Sequence, residues 1–319
     1  VRIASVTKMF TSAAVLRLVE QRKIDVDDGI ETLVSPDIIH VLRHGGYPTA
    51  LISVRQLLQH TSGLYDWGSD PRYDATVFAA PGRRWTRIDQ VRWAVENGSP
   101  VAPPGRLFHY SDTGYIVLGE ILERMTGLPL AAAYRALLPI EDLGLASVYL
   151  ESAEDVPSGA AIRASQYAAC DGTVCRECHL HDALDIDPSS DLWGGGGLVA
   201  TMTDLAVFIR ALFNGQVYDR PGTLEAMLAP VKAADAAGYG MGIRRLDLGT
   251  GGWWGHRGFW GTVVGYHPTS GVAVATTITR RQAHPDDRLL PGRALVRALN
   301  QFLPSGLIRC GRWPIVGAR

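Results

Sequence analysis

Lysine is nearly missing from this chain. Of 31 basic residues only Lys8, Lys23 and Lys232 are lysines, and arginine supplies the rest. No apolar run reaches the ~18 residues that a membrane-spanning helix needs. The formal net charge is −1 and no basic block occurs, which excludes the basic stripe of a nucleic-acid-binding surface. There is no internal repeat and no low-complexity tract. What is present is globular: 46% hydrophobic and 20% charged residues over 319 positions, enough apolar surface for a sizeable core.

The scarcity of lysine sharpens the reading of "SVTK", Ser5 to Lys8. A sequence that uses arginine for ordinary surface charge keeps a lysine three residues after a serine. Arginine cannot serve as a base, because it does not lose its proton. "SVTKMFTSAAVLRLVEQRK" has the 3, 4, 7 spacing of a helix with one buried stripe of Val6, Met9, Phe10 and Ala13. Three helical steps turn ~300°, so Ser5 and Lys8 share a face, with Met9, Ser12 and Leu16. Desolvation among such neighbours lowers a lysine pKa towards that of a working base. Two readings stand: a nucleophile with its proton partner, or a capping serine followed by a snorkelling lysine.

Further along, "LISVRQLLQHTSGL" reads as a short helix capped by Ser53 and stopped at Gly63. "TRIDQVRWAVENG" and "TMTDLAVFIRALFNG" open with capping-box pairs, Thr86 with Asp89 and Thr201 with Asp204. "HYSDTGY" places Tyr110, Ser111 and Asp112 on a loop feeding another helix that ends at Gly127. The period then changes. "YGMGIRRLDL", "GGWWGHRG", "WGTVVGYHP" and "GVAVATTITRR" read as four consecutive strands, followed by a helix "GRALVRALNQFL". The fold class expected is α+β: an antiparallel sheet flanked by helices, with an all-helical subdomain.

Two further motifs carry chemistry. Tyr110 beside a buried lysine would shuttle protons, or would simply pack at a helix start. In "WWGHRGFWGT", Gly258 lies in a predicted strand, where glycine marks close approach of a ligand or a second backbone. If Gly258 passes beside Ser5, the N–H of Phe259 joins that of Ser5 as an oxyanion hole. His256 would then set a switchable donor over the pocket, or be a satisfied strand histidine.

SVTK, YSD and HRG, in that order on helix, loop and strand, resemble the serine β-lactamase/DD-peptidase superfamily. Within it, the chain is similar to the class C branch of DD-carboxypeptidases, D-aminopeptidases, amide hydrolases and β-lactamase-like esterases. "RIASVTKMFTSAAVLRLVE", "ISVRQLLQHTSGL", "PPGRLFHYSDTGYIVLGEILE", "GGGGLVATMTDLAVFIRAL" and "HRGFWGTVVGYHPTSGVAVATTI" extend the resemblance over nearly residues 2–280. It implies a β-lactamase/transpeptidase-like fold and cleavage of an amide or ester through an acyl-enzyme on Ser5. Lys8 and Tyr110 would move protons, the N–H groups of Ser5 and Phe259 would hold the oxyanion, and no metal or cofactor would be required. A non-catalytic penicillin- or peptidoglycan-binding sensor of the same fold is the alternative, and a zinc hydrolase lacks its helix-borne motif. The substrate would be a small molecule, peptide or ester, and a cell-wall substrate would place the protein in the periplasm or outside the cell. Oligomeric state is open.

The departures from the family pattern are specific. Asp112 stands where asparagine is usual; an ionised Asp offers only acceptors and would pair with Lys8 and raise its pKa, which favours a charged lysine that organises hydrogen bonds and leaves more of the base work to Tyr110. His256 leans towards peptidases and esterases. Arg257 replaces a small residue, and either offers a substrate carboxylate a cation among Trp253, Trp254, Phe259 and Trp260 or faces solvent. One hydrolase domain is expected over residues 1–303, with an α/β part (1–45 and 215–303), a mostly helical part (46–214) and a tail at 304–319. Relatives carry several dozen residues before SxxK, so two N-terminal strands are expected to be missing here, leaving a sheet edge exposed. "CDGTVCRECHLHD" holds Cys170, Cys175, Cys178, His179 and His181. These suit a structural zinc site, one disulfide with Cys310 left over, or free thiols.

Overall fold

The computed structural model describes residues 1–169, 180–232, 238–249, 251–279 and 292–297. The N-terminal segment runs along a short strand before it turns into the nucleophile helix. Ile3 N–H donates to Leu198 O at 2.9 Å and Ala200 N–H to Val1 O at 3.1 Å, and the side chain of Gln166 brackets the backbone of Arg2, accepting at 2.6 Å and donating at 2.9 Å. Ala4 then adopts φ 45°, a left-handed conformation that costs a β-carbon residue about 1 kcal/mol. It starts the 3-10 turn Ala4–Val6, which holds Ser5 and leads into helix α1, Thr7–Glu20. Ser5 thus sits two residues before the α-helix proper begins. The single buried stripe expected for α1 is also wrong: 12 of its 14 residues are buried, because helices pack around it on several sides.

Those neighbours follow in order. Helices α2 (Pro36–His44), α3 (Val54–Leu58), α4 (Pro71–Ala79), α5 (Arg87–Asn97), α6 (Asp112–Thr126) and α7 (Leu130–Leu137) precede the first strands. Both α6 and α7 pack on α1. The capping box of α3 forms between Ser53 and Gln56, but the helix stops at Leu58, before His60 turns with φ 56°. The Thr86–Asp89 box opens α5, and Gly127 closes α6 at φ 71°. The pair β1 (Tyr149–Leu150) and β4 (Leu198–Val199), and the pair β2 (Tyr167–Ala169) and β3 (Leu180–Asp182), make two small antiparallel ribbons.

Helix α8, Met202–Phe213, opens on the Thr201–Asp204 box, and α9, Pro221–Leu228, follows. The four predicted strands form one antiparallel meander, β5 (Arg244–Leu246), β6 (Trp253–Arg257), β7 (Thr262–His267) and β8 (Val272–Thr277). Alternation splits the sheet: Trp254, Val264 and Tyr266 join the main core on the α8 side. Trp253, Val263 and Val274 bury with Leu246, Leu248 and Val296 on the other. This is the α+β arrangement expected. Among the described residues, no helix is long and apolar enough to cross a membrane.

Candidate active site

Lys8, fully buried in the first turn of α1, reaches three acceptors. Its Nζ donates to Ser5 Oγ at 3.0 Å, to Gly195 O at 2.8 Å and to Asp112 Oδ1. An ammonium has three hydrogens, and all three are placed. Of the two opposing influences expected on the Lys8 pKa, lowering by its apolar surroundings and raising by Asp112, the second prevails. Burial alone would lower it, but the charges of Asp112, Tyr110 and Asp191 outweigh burial and raise it well above its ordinary value. Asp112 supplies the counter-charge that its place in "YSD" suggested.

The glycine run before β4 makes this packing possible. A Cβ on Gly195 would meet Asp112 Oδ1 at 3.0 Å and Lys8 Nζ at 3.4 Å, and one on Gly196 would meet the Asp191 carboxyl at 2.2 Å. Only a backbone without side chains can lie over the buried ion pair. Tyr110 precedes α6, whose N-cap Ser111 accepts from Gly114 N–H. Lys8 Nζ lies 5.0 Å from the Tyr110 ring centroid. Burial pushes the Tyr110 phenol up, with the Lys8 charge and side-chain interactions with Lys8 and Ser5 opposing it.

Gly258 does pass beside the nucleophile segment: a Cβ there would meet Ile3 O at 2.3 Å and the Ala4 Cβ at 3.5 Å. The next residue, Phe259, lines the same cavity as Ser5. Gly258→Ala is therefore expected to lower kcat/KM about 100-fold by pushing the Phe259 amide away from Ser5. Circular dichroism should stay native, and a variant of full activity would show that the approach is unimportant.

The bonds of His256, which lines the cavity, match the second of its two readings, the satisfied strand histidine. Its Nδ1 bonds to Arg257 O at 2.8 Å and its Nε2 to Tyr239 Oη at 3.1 Å. Both ring nitrogens are engaged within the protein, so the ring holds no spare donor over the cavity. Arg257 lines the cavity rather than facing only solvent, together with Phe259 and Trp260. Trp253 and Trp254 do not: the first is in the core beyond the sheet, and the second lies under Arg245 at 4.7 Å.

A cavity of about 440 Å³ opens at Ser5. Besides Phe259 and Trp260, its aromatic wall includes residues that the sequence did not single out, among them Trp67, Tyr73, Phe78 and Phe108. Arg244 also lines it, with Nε buried and without a hydrogen-bond partner. Asp66 and Asp191 add carboxyls to the floor. Burial, then the Asp112 charge, pushes both up to about 7. The signal for these acids was faint: Asp191 precedes "LWGGGG", and Asp66 follows "HTSGLY". The zinc or thiol candidates Cys170, Cys175, Cys178 and His179 lie outside the described residues; His181 stacks on Phe78 at 4.4 Å.

Asp66 carries a pH prediction. Its Oδ1 accepts from Asp112 N–H at 2.8 Å and Gly68 N–H at 3.1 Å, bonds that an asparagine oxygen can also accept. The fold holds the Asp66 proton to about pH 7, against an ordinary 3.8. Between those values the native state binds more protons than the unfolded state, so stability falls as pH rises through that window. Asp66→Asn lacks this loss. It should match wild type near pH 4 and exceed it by about 4 kcal/mol above pH 7, measured by urea unfolding across pH. A gap that shrinks with rising pH would contradict the assignment.

Comparison with known proteins agrees with this geometry. Esterase EstB of Burkholderia gladioli is 30% identical over 264 residues, which are 78% of this chain and 65% of the esterase's length. A D-stereospecific amidohydrolase from Streptomyces sp. superposes with a TM-score of 0.77 at 25% identity, covering 92% of this chain and 86% of that one. A penicillin binding protein from Bacillus halodurans shares the fold at TM-score 0.69 and 21% identity, covering 93% of this chain and 84% of its own. The Beta-lactamase family model matches residues 1–299, and the chain belongs to that family, within the serine β-lactamase/DD-peptidase superfamily of hydrolases.

Proposed function

We propose that this protein cleaves a small amide or ester through an acyl-enzyme on Ser5. The observation that carries the reading is the hydroxyl of Ser5, facing the cavity and bonded to a lysine whose other two hydrogens are held by Asp112 and Gly195. With Lys8 fully protonated, it organises charge rather than accepting the proton. Tyr110, as phenolate beside that ammonium, takes the proton from Ser5 as Oγ attacks the carbonyl. The amides of Ser5 and Phe259 hold the oxyanion. The Tyr110 phenol then protonates the leaving amine or alcohol, and the acyl group stays on Ser5. The regenerated phenolate draws a proton from water as it attacks the ester, and the Tyr110 phenol then returns that proton to Ser5 Oγ as the ester bond breaks, freeing the acid and the Ser5 hydroxyl.

The relatives supply both branches, an esterase and an amidohydrolase. The aromatic wall suits an apolar acyl group, and the positive charge of Arg244 at the lining suits an anionic group on the substrate. Intact mass after brief exposure to benzylpenicillin, and separately to a p-nitrophenyl acyl ester, tests the reading. A transient adduct supports a hydrolase, a persistent one a sensor that acylates and stalls, and none from a folded protein sinks the catalytic reading in favour of a non-catalytic binding protein.

The mechanism fixes the sign of the pH dependence. Phenolate is the active form and burial raises the Tyr110 pKa above its ordinary 10. Hence kcat/KM should climb about tenfold per pH unit from pH 6 to 9, after subtraction of spontaneous hydrolysis. A plateau starting near pH 6 would exclude Tyr110 as the base.

A further inference from the structure

Three buried side chains outside the reacting group form one continuous line: His60, Tyr239 and His256, which are 1%, 0% and 3% exposed. Ser111 N–H donates to His60 Nδ1 at 3.0 Å. His60 Nε2 lies 3.0 Å from Tyr239 Oη, which lies 3.1 Å from His256 Nε2. His256 Nδ1 ends the line on Arg257 O at 2.8 Å.

The two ends fix every proton between them. A backbone N–H only donates, and a carbonyl only accepts. With both rings neutral, His60 must therefore carry its hydrogen on Nε2 and give it to Tyr239. His256 must carry its own on Nδ1, so Nε2 is an acceptor. The Tyr239 hydroxyl, filled by His60, points its hydrogen to His256. No other arrangement makes all four bonds.

The line also touches both halves of the site. His60 O accepts from His109 N–H at 2.8 Å, while its ring holds Ser111 N–H. Tyr110 lies between these two anchors, with its ring 4.2 Å from that of His60. The other end of the line is β6, which leads to Gly258 and Phe259. The left-handed φ of 56° at His60 turns carbonyl and ring to the same loop, a strained conformation retained where the surroundings over-determine it.

We propose that His60 and Tyr239 are positioning residues which hold Tyr110 and strand β6 in register and lock His256 with its proton on Nδ1. The positioning role rests on the acyl-enzyme reading; the proton assignment does not. Two variants separate the parts. Tyr239→Phe removes the hydroxyl between the rings. His60→Asn tolerates a positive φ and keeps an acceptor near Ser111, but is too short to reach Tyr239.

The readouts are histidine nitrogen spectra of the uniformly labelled protein, and steady-state kinetics. Wild type should show His256 protonated on Nδ1 and His60 on Nε2. In Tyr239→Phe the His256 Nε2 resonance should shift as it loses its donor, and kcat should fall about 10- to 100-fold with KM within about twofold. His60→Asn should lose the His60 signals and lower kcat in the same way. A His256 proton on Nε2 in wild type would overturn the assignment, whatever the activity. Unchanged kcat in both variants would overturn the positioning role. If wild type forms no acyl-enzyme, the positioning role falls with that reading, and the spectra still decide the protons.

Discussion

Replacing Ser5 with alanine is expected to lower hydrolysis of a p-nitrophenyl acyl ester by about 10⁴-fold or more, and to abolish any covalent adduct. The size follows from what is lost. Ser5 Oγ is the hydroxyl that Lys8 holds at 3.0 Å at the mouth of the cavity. Without it no covalent intermediate forms, and the remaining groups can only assist water. The structural cost is small: Ser5 is half-buried, and Lys8 keeps its bonds to Asp112 and Gly195. Thermal unfolding should therefore change little, so lost activity cannot be blamed on lost fold. A variant that keeps a tenth of wild-type turnover would remove Ser5 from the mechanism and with it the acyl-enzyme.

Much of this site was legible from the chain because its parts are local. The pair Ser5 and Lys8 is set by helical spacing, and the capping boxes and the four-strand meander are likewise short-range patterns. What was not legible depends on contacts far apart in sequence. The helix of Lys8 alone points to a neutral lysine; its charged state is legible only through Asp112 in "YSD", a partner 104 residues away. Trp253 and Trp254 were both drawn towards the pocket, yet strand alternation sends them to opposite sides of the sheet. The choice between a donor and a satisfied strand histidine at His256 turns on Tyr239 and the Arg257 carbonyl, which take its nitrogens. His60 carried no chemical signal in "LLQHTSGL", since its function lies in what its ring and carbonyl reach across the fold. The glycine run read as a family block, and its reason is visible only in the clash that a Cβ would make with Asp112 or Asp191.

Lys8 is the one residue here whose removal should damage both chemistry and fold, and the two losses can be separated. Lys8→Met keeps the length of the side chain but leaves the Asp112 carboxylate without its cation, near Asp66 and Asp191 on the same cavity floor. An uncompensated charge of this kind costs about 3–5 kcal/mol. The loss should depend on pH: the stranded carboxyls then hold protons in the fold that they release when unfolded, so the variant loses stability as pH rises from about 4 to 8. The gap to wild type should widen over that range. Adding Asp112→Asn removes the stranded charge, and the double variant Lys8→Met/Asp112→Asn should regain most of the lost stability in urea unfolding. It should still be inactive, because the hydrogen bond to Ser5 and the charge that favours the Tyr110 phenolate are both gone. If the double variant recovered activity with stability, the lysine would be only the counter-ion of Asp112. Recovery of stability alone assigns Lys8 two separable duties: neutralising a buried carboxylate, and preparing Ser5 and Tyr110 for proton transfer.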